Sequence, residues 1–237
     1  MKPLYGIAEA GVHWFETYQR HHKEKLSTVK DNDDDRVQQY VEQRARGAYI
    51  APICQPEASF DYSVAAQVQE PMDDDYKKLN SRINWQIDHK DRGLRFIPID
   101  LATAKVMVFT DGSFANNRDL SSQIGFAIML VNESQADNSF KINGNLLHWS
   151  STKCKRVTRS VLASEIYGMV AGFDIAFVLT ATLETVMKQL GLPRLPLVVC
   201  TGLVLPVRVS CETGIYDGKE AHGRLDGPPR VVRTPRD

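Results

Sequence analysis

The sequence is poor in the patterns by which several protein classes are recognised. It has four cysteines in 237 residues and no CxxC pair, which argues against structural zinc and favours reduced thiols inside the cell. Basic and acidic residues number 29 each, so a nucleic-acid site would depend on a local basic patch. No uninterrupted apolar run reaches the roughly 18 residues of a membrane span, and the opening MKPLYGIAEAG lacks the apolar core of a secretory signal. We expect an intracellular protein, cytoplasmic or nuclear, that is not secreted and has no membrane partner.

The second half of the chain has the pattern of a sheet with one long helix. Three apolar runs predict consecutive strands: VMVFTDGSF, IGFAIMLV and NLLHWSS. A long helix is predicted from near Thr158 or Ser160 to about Leu190, where a glycine and a proline end it. PLVVCT (196–201) then predicts a buried strand. This order implies an α/β fold with a mixed sheet and flanking helices.

The first hundred residues are predicted to be mostly helical. Residues 8–26 have the spacing of an amphipathic helix, and 39–70 contain shorter helical patterns. Residues 73–91 predict a further helix, since three aspartates at its start favour the positive end of the helix dipole. The polar segment 29–38 is interpreted as a linker.

Two acids on different elements suggest chemistry. Asp111 lies on the first predicted strand, and Glu165 lies in the first two turns of the long helix. Carboxylates from two elements can hold Mg²⁺ ions, which activate water and stabilise a leaving oxygen at a phosphodiester. The alternatives are that Asp111 only ends a strand before the turn at Gly112, and that Glu165 is a solvated helix acid.

Candidate nucleic-acid contacts flank these acids. Polar residues follow Asp111, and the basic segment KCKRVTR precedes the long helix. Such groups contact phosphates without reading sequence, although ordinary turn chemistry and a solvated loop explain them equally well. The candidates are Ser113, Asn116, Lys153, Lys155, Arg156 and Arg159. We interpret Trp149 and Cys200 as core residues and His148 and Cys154 as structural.

Five blocks of the sequence carry a family resemblance. They are KPLYGIAEAGVHWFETY, QYVEQRARGAYIAPICQPEASFDYSVAAQV, NWQIDHKDRGLRF, FTDGSFANNRDLSSQIGFAI and HWSSTKCKRVTRSVLASEIYGM. In this order they resemble the pol polyprotein of copia-type LTR retrotransposons, most like fungal copies. The resemblance covers most of residues 1–28 and 39–201.

The resemblance implies a division of the chain into parts of a polyprotein. The hairpin with the paired polymerase aspartates is missing between the first two blocks, so the resemblance implies no polymerase activity. The implied parts are a reverse transcriptase palm fragment (1–28), the linker (29–38), a C-terminal and connection remnant (39–103), a truncated ribonuclease-H-like domain (104–201) and a tail (202–237). We interpret the tail as frameshifted and disordered, since the resemblance and regular periodicity both stop after Thr201.

The resemblance also implies a role for the two acids. Family members use four acids to bind Mg²⁺ or Mn²⁺ and cleave the RNA strand of an RNA–DNA hybrid. Asp111 and Glu165 match the first two, which makes them the catalytic and metal-binding candidates. Gly202 stands where the third acid follows PLVVCT, and the fourth position falls in the tail. We therefore expect weak or absent metal binding and little or no cleavage. The alternatives are a non-catalytic module that binds hybrids or other nucleic acid, and a translated relic without a biochemical role.

Overall fold

The structure is a computed structural model with two compact units. It describes residues 17, 20, 25–30, 35–136, 139–201 and 232–233, and of these it describes 135–136, 139–140 and 232–233 by the backbone alone. The units are Met1–Gly93 and Leu94–Asp237. This division falls ahead of residue 104, where the sequence analysis begins the second domain. Most of the predicted helix over 8–26 and most of the predicted disordered tail lie outside the described residues; residues 17 and 20 are helical, as predicted, and residues 25 and 26 are not.

The first unit is mostly helical, as predicted. Its elements are α1 (Arg36–Cys54), a 3₁₀ turn (Pro56–Ala58), α2 (Ser59–Ala65) and α3 (Asp73–Asp88). Helix α3 begins at the predicted aspartates, and the Asp75 carboxylate accepts a hydrogen bond of 3.0 Å from the backbone N–H of Met72. This bond satisfies an amide that helix geometry leaves without a partner.

The interpretation of 29–38 as a polar linker is wrong at both ends, since Val29 is buried and residues 36–38 belong to α1. Val29 is buried and belongs to the same core as Tyr40, Ile50 and Ile83. The side-chain amide of Asn80 accepts from the Val29 N–H at 2.7 Å and donates to its carbonyl at 2.9 Å. Because the Asn80 amide satisfies both backbone groups of Val29, this residue can be buried without being part of a helix or a sheet.

The second unit is α/β with a mixed sheet, as predicted. Its elements are β1 (Lys105–Ser113), β2 (Gln123–Ala136), β3 (Ser139–Lys153), α4 (Val161–Gln189), β4 (Leu197–Thr201) and β5 (Val232–Arg233). The strand order is β3-β2-β1-β4-β5. Strand β1 pairs antiparallel with β2 and parallel with β4, while β3 and β5 pair antiparallel with β2 and β4.

Helix α4 packs on the sheet through small side chains. Its buried stripe follows every fourth residue: Ser164, Gly168, Gly172, Ala176 and Thr180. A Cβ on Gly172 would stand 2.9 Å from Cγ2 of Thr110, so the helix lies closer to the sheet than larger side chains allow. The large apolar residues of its N-terminal half therefore face outward, with Leu162, Ile166 and Val170 about half exposed.

The same helix has the length and composition of a membrane span. Val161–Gln189 contains a window with mean hydropathy 1.7, of which 22% is buried. The sequence predicts this helix, but its uninterrupted apolar runs are too short to mark it as a candidate span. Core helices of soluble proteins meet the same criteria, and α4 packs on β1 and β2.

The segment before β1 is held against the sheet by two asparagines. Asn145 of β3 accepts from the Ile97 N–H at 2.8 Å and donates to the Ile97 carbonyl at 2.9 Å. Asn132 of β2 makes the same pair of bonds with Asp100, at 2.9 and 2.8 Å. Residues 94–103 are thus part of the second unit.

Candidate metal and nucleic-acid site

Asp111 lies near the end of β1, opposite Gly125 of β2. Side chains alternate along a strand. Val106 and Val108 belong to the core that includes Ala176 of α4, whereas Met107 and Phe109 belong to the core of the other face. Asp111 follows the second set and is exposed, so its side chain leaves β1 on the face away from α4.

Gly112 is the point where β1 meets α4. A Cβ there would stand 2.5 Å from the carbonyl carbon of Ser164 and 2.7 Å from the backbone nitrogen of Glu165. Only glycine permits this approach, because real Cβ atoms do not come so near to backbone. The Ser164 hydroxyl lies 3.1 Å from the Gly112 carbonyl and 2.7 Å from the Val161 carbonyl, so its one proton has two possible acceptors.

Glu165 is buried, whereas Asp111 is exposed. Its side chain is 7% exposed, and its Oε2 atom is buried without a hydrogen-bond partner. Burial raises the pKa of this carboxyl, the Asp111 charge raises it further, and the bond from Gly112 opposes the shift. The Asp111 charge therefore acts on the Glu165 carboxyl. The Asp111 side chain leaves β1 on the face away from α4, whereas Glu165 belongs to α4, which packs on the opposite face.

The end of β4 lies beside this pair. Thr201, its last residue, is the partner of Thr110, which directly precedes Asp111. The next residue, Gly202, is outside the described part of the chain. Among the described residues, no group of three or more histidines, cysteines or acids could hold a metal ion. Two carboxylates suit a hard cation such as Mg²⁺, but they are fewer than the four acids that the resemblance implies.

Two loops meet at the same end of the sheet. Residues 114–122 join β1 to β2, and 154–160 precede α4. The hydroxyls of Ser122 and Thr158 lie 2.6 Å apart, and the Cys154 N–H donates to the Ser122 carbonyl at 2.8 Å. Ser113 ends β1, and Asn116 is exposed in the first loop. These bonds hold the basic segment at the end of the sheet where Asp111 lies.

The four basic candidates differ in their surroundings. Lys153 ends β3, and its ammonium forms an ion pair with Asp119. This hydrogen bond holds the pKa of the Asp119 carboxyl well below its usual range. Lys155, Arg156 and Arg159 are exposed in the loop before α4. These three remain the better candidates for phosphate contact.

The predicted core residues are placed as expected. Trp149 is buried, as are Cys154 and Cys200. Burial and the nearby charge of Glu133 raise the pKa of the Cys200 thiol to about 11, so it is protonated near neutral pH. His148 is half-buried, with its ring 5.8 Å from that of Phe126, and burial lowers its pKa.

Our reading of the sequence missed Ser164. Nothing in the motif set it apart from other small residues of the helix, and only the step of four residues to Gly168 and Gly172 marks the stripe to which it belongs.

An open groove along α3, lined in part by Lys77, Ser81 and Trp85, lies in the first unit and contains neither acid. Comparison of the chain with models of protein families, with curated proteins and with solved structures finds no match.

Proposed function

We propose that the chain is a degenerate fragment of a copia-type retrotransposon pol polyprotein, and that its second unit is a ribonuclease-H-like domain. Five sequence blocks in the family's order support the ancestry. Three antiparallel strands, a helix, and a fourth strand parallel to the first are compatible with that domain. The ancestral activity is metal-dependent hydrolysis of the RNA strand in an RNA–DNA hybrid.

The observation that carries this proposal is the buried, unpartnered Oε2 of Glu165, on whose carboxyl the charge of Asp111 acts. A carboxylate oxygen removed from water without a partner is unfavourable. A divalent cation supplies that partner, and oxygen ligands are the ones that Mg²⁺ and Mn²⁺ prefer. Asp111 and Glu165 would hold the ion. When bound, it would supply the Lewis acid that activates water and stabilises the leaving 3′ oxygen.

We expect little or no cleavage by this chain. The residue after β4 is Gly202 where the resemblance requires an acid, and the fourth acid has no counterpart. Two carboxylates hold a cation less tightly than four, and they do not fix the position of the attacking water. Asp111 and Glu165 therefore keep a cation-binding role without turnover.

A metal-binding experiment and a cleavage assay test the proposal together. Mn²⁺ titration by calorimetry should give a dissociation constant on the order of 10⁻³ M, the weak end of the carboxylate range. Asp111→Asn and Glu165→Gln should abolish the heat, whereas Asp174→Asn, at an exposed acid further along α4, should not. Absence of Mn²⁺ binding to the unaltered chain would remove the metal site.

The cleavage assay uses a labelled RNA–DNA hybrid with Mg²⁺ or Mn²⁺. We expect no product above the protein-free control. Gly202→Asp, which places an acid directly after β4, should raise Mn²⁺ affinity about tenfold if each carboxylate contributes about 1.4 kcal/mol. Gly202→Asn is its uncharged control. Turnover by the unaltered chain that Asp111→Asn abolishes would show that the domain is active.

A non-catalytic hybrid-binding module is the second candidate. Lys155, Arg156 and Arg159 are exposed at the same end of the sheet as Asp111. Their position favours binding of nucleic-acid phosphates. Each phosphate contact adds roughly 0.7–0.9 to the slope of log affinity against log salt. Replacing all three residues by alanine should therefore lower that slope by about 2. Lys188→Ala, at the far end of α4, should leave it unchanged. A slope that the triple variant does not alter would exclude this loop as the binding site.

A relic without a biochemical role is the third candidate. It predicts neither Mn²⁺ heat nor salt-dependent retention of hybrid. It also predicts a broad thermal transition in place of a cooperative one. The same two binding experiments thus separate all three candidates.

A further inference from the structure

We infer that the outward face of α4 binds a second copy of this chain, with the two helices antiparallel and Ile166 at the two-fold axis. In this arrangement Asp174 of each copy pairs with Arg159 of the other. The inference does not depend on the candidate metal site, because it uses neither Asp111 nor Glu165.

Helix α4 and the loop before it expose more apolar surface than an ordinary monomer does. Nine large apolar residues from Val157 to Val178 are at least 40% exposed. They present on the order of 800 Å², which exceeds the roughly 300–600 Å² of the largest apolar patch on a typical monomer. Each partner in a standard protein interface contributes about 800 Å². The outward face of α4 is therefore large enough for a stable dimer.

The charges along α4 favour a second copy over a lipid surface. Residues 161–183 contain no lysine or arginine and two acids, of which Glu165 is buried and Asp174 is exposed. Helices that lie on membranes are rich in basic residues, and an acid within the apolar face is unfavourable in lipid. A second copy can instead supply a cation to Asp174. The chain has 29 basic and 29 acidic residues, so no net charge drives two copies apart.

The spacing of the charges sets the register of the pair. Asp174 lies eight residues after Ile166, about 12 Å along the helix axis. Arg159 lies seven residues before Ile166, in the exposed loop that precedes α4. When two antiparallel copies cross at Ile166, the two-fold axis brings Asp174 of each copy towards Arg159 of the other. Leu162 then meets Val170 across the axis. A crossing at Asp174 would instead place two like charges together.

Sedimentation equilibrium of the full chain tests the association. We expect a monomer–dimer equilibrium with a dissociation constant on the order of 10⁻⁶ M, the weak end for interfaces of this size. Unfolding in urea, measured below this concentration, reports the monomer. Ile166→Lys places two ammonium groups at the axis and should weaken the dimer at least about 100-fold.

Val186→Lys is the matched control for Ile166→Lys. Val186 is 47% exposed and Ile166 is 45% exposed, so the two substitutions introduce the same charge at similar surface positions. Val186 lies about 30 Å further along the same helix, outside the expected contact. Val186→Lys should therefore dimerise as the unaltered chain does.

Exchange of the two paired charges tests the register. Arg159→Asp and Asp174→Arg should each weaken the dimer about tenfold, because each places like charges together at both symmetry-related pairs. The double variant with both substitutions restores opposite charges and should recover the affinity of the unaltered chain. A double variant as weak as the single ones would overturn the register.

The remaining outcomes decide between a second copy and other occupants. A chain that stays monomeric at about 100 times the expected dissociation constant would overturn the inference, as would a dimer that Ile166→Lys leaves intact. If Ile166→Lys does not fold, Val170→Lys decides, because its expected partner is Leu162 of the other copy. A monomeric chain that floats with phosphatidylcholine and phosphatidylserine vesicles, but not as Ile166→Lys, would assign this face to lipid. A dimer that binds no Mn²⁺ would support the inference and refute the metal site.

Discussion

At the scale of single residues, the site is determined more by Gly112 than by either acid. Asp111 and Glu165 could be proposed from the sequence, because each follows a recognisable strand or helix pattern. Gly112 also follows Asp111 in the sequence, but there it predicts only a turn. Its actual role depends on the distance between β1 and α4, and no local pattern encodes a distance between elements remote in sequence.

Replacing Gly112 by alanine should destabilise the second unit strongly. The new Cβ would lie 2.5 Å from backbone of α4, which cannot rotate away as a side chain can. Overpacking of this kind costs about 3 kcal/mol, measured as a fall in the free energy of unfolding in urea. The matched control is Gly125→Ala on the adjacent strand, where the Cβ would meet only the Ser150 carbonyl oxygen at 3.6 Å. A control variant as unstable as Gly112→Ala would show that the helix contact is not the cause.

Glu165→Gln should raise the melting temperature at pH 7. Burial and the Asp111 charge raise the pKa of Glu165 in the folded chain above its ordinary value of 4.5. The folded state thus holds this proton to higher pH than the unfolded state, so stability falls as the pH rises through this window. Glutamine has no charge to bury and nearly the same size as glutamate.

The advantage of Glu165→Gln should shrink as the pH is lowered towards 4, where both states of the glutamate are protonated. Melting curves from pH 4 to pH 7 measure this trend. Glu184→Gln is the control, since this acid forms an exposed ion pair with Arg194 at 3.3 Å and should show no such gain. A gain for Glu165→Gln that does not depend on pH would contradict the assigned cause.

At the scale of elements, the sequence predicts the strands and helices better than the faces they bury. Periodicity located β1, α4 and β4 to within a few residues. In α4, however, two stripes share the spacing of an amphipathic helix, one of large apolar residues and one of small residues. The small stripe is buried because the helix lies so close to β1, and the large one remains exposed. Hydrophobicity alone favours the wrong stripe.

Substitutions on the two stripes of α4 should therefore differ in how much they lower the free energy of unfolding. Gly172→Leu inserts a side chain where even a Cβ would lie 2.9 Å from Thr110, and should cost about 2 kcal/mol or more. Val170→Gln, on the exposed stripe, should change the free energy of unfolding by less than about 0.5 kcal/mol. Urea unfolding of both variants measures the difference. A larger loss for Val170→Gln than for Gly172→Leu would reverse the assignment of the faces.

At the scale of the whole molecule, the boundary between the two compact units lies between Gly93 and Leu94. The family resemblance places a boundary near residue 104, but Asn132 and Asn145 bind the preceding segment to the sheet. Asparagine is common in turns, so neither residue suggests such a role in the sequence. Each becomes a clamp only because an extended segment passes within hydrogen-bonding distance, and that path is a tertiary property.

Limited trypsin digestion should show the boundary of the second unit. Lys90 and Arg95 are exposed, whereas Lys105 lies in β1 and forms an ion pair of 2.7 Å with Glu133. The first cut between the units should therefore follow Lys90 or Arg95, giving a fragment that keeps Ile97 and the rest of the clamped segment. Mass spectrometry identifies the new N-terminus, and an early cut after Lys105 would contradict the clamp.

The Asn145→Ala variant extends this test to the clamp itself. It removes both hydrogen bonds to Ile97 and leaves two backbone groups without their partner, at a cost of about 1–3 kcal/mol. Trypsin should then cut after Arg95, two residues before Ile97, earlier in the digestion than it does in the unaltered chain. Asn116→Ala, in the exposed β1–β2 loop, should leave the digestion pattern unchanged. Because Asn132 still holds Asp100, the loss of Asn145 should separate only the part of the segment around Ile97 from the sheet, without unfolding the strands that hold Asp111.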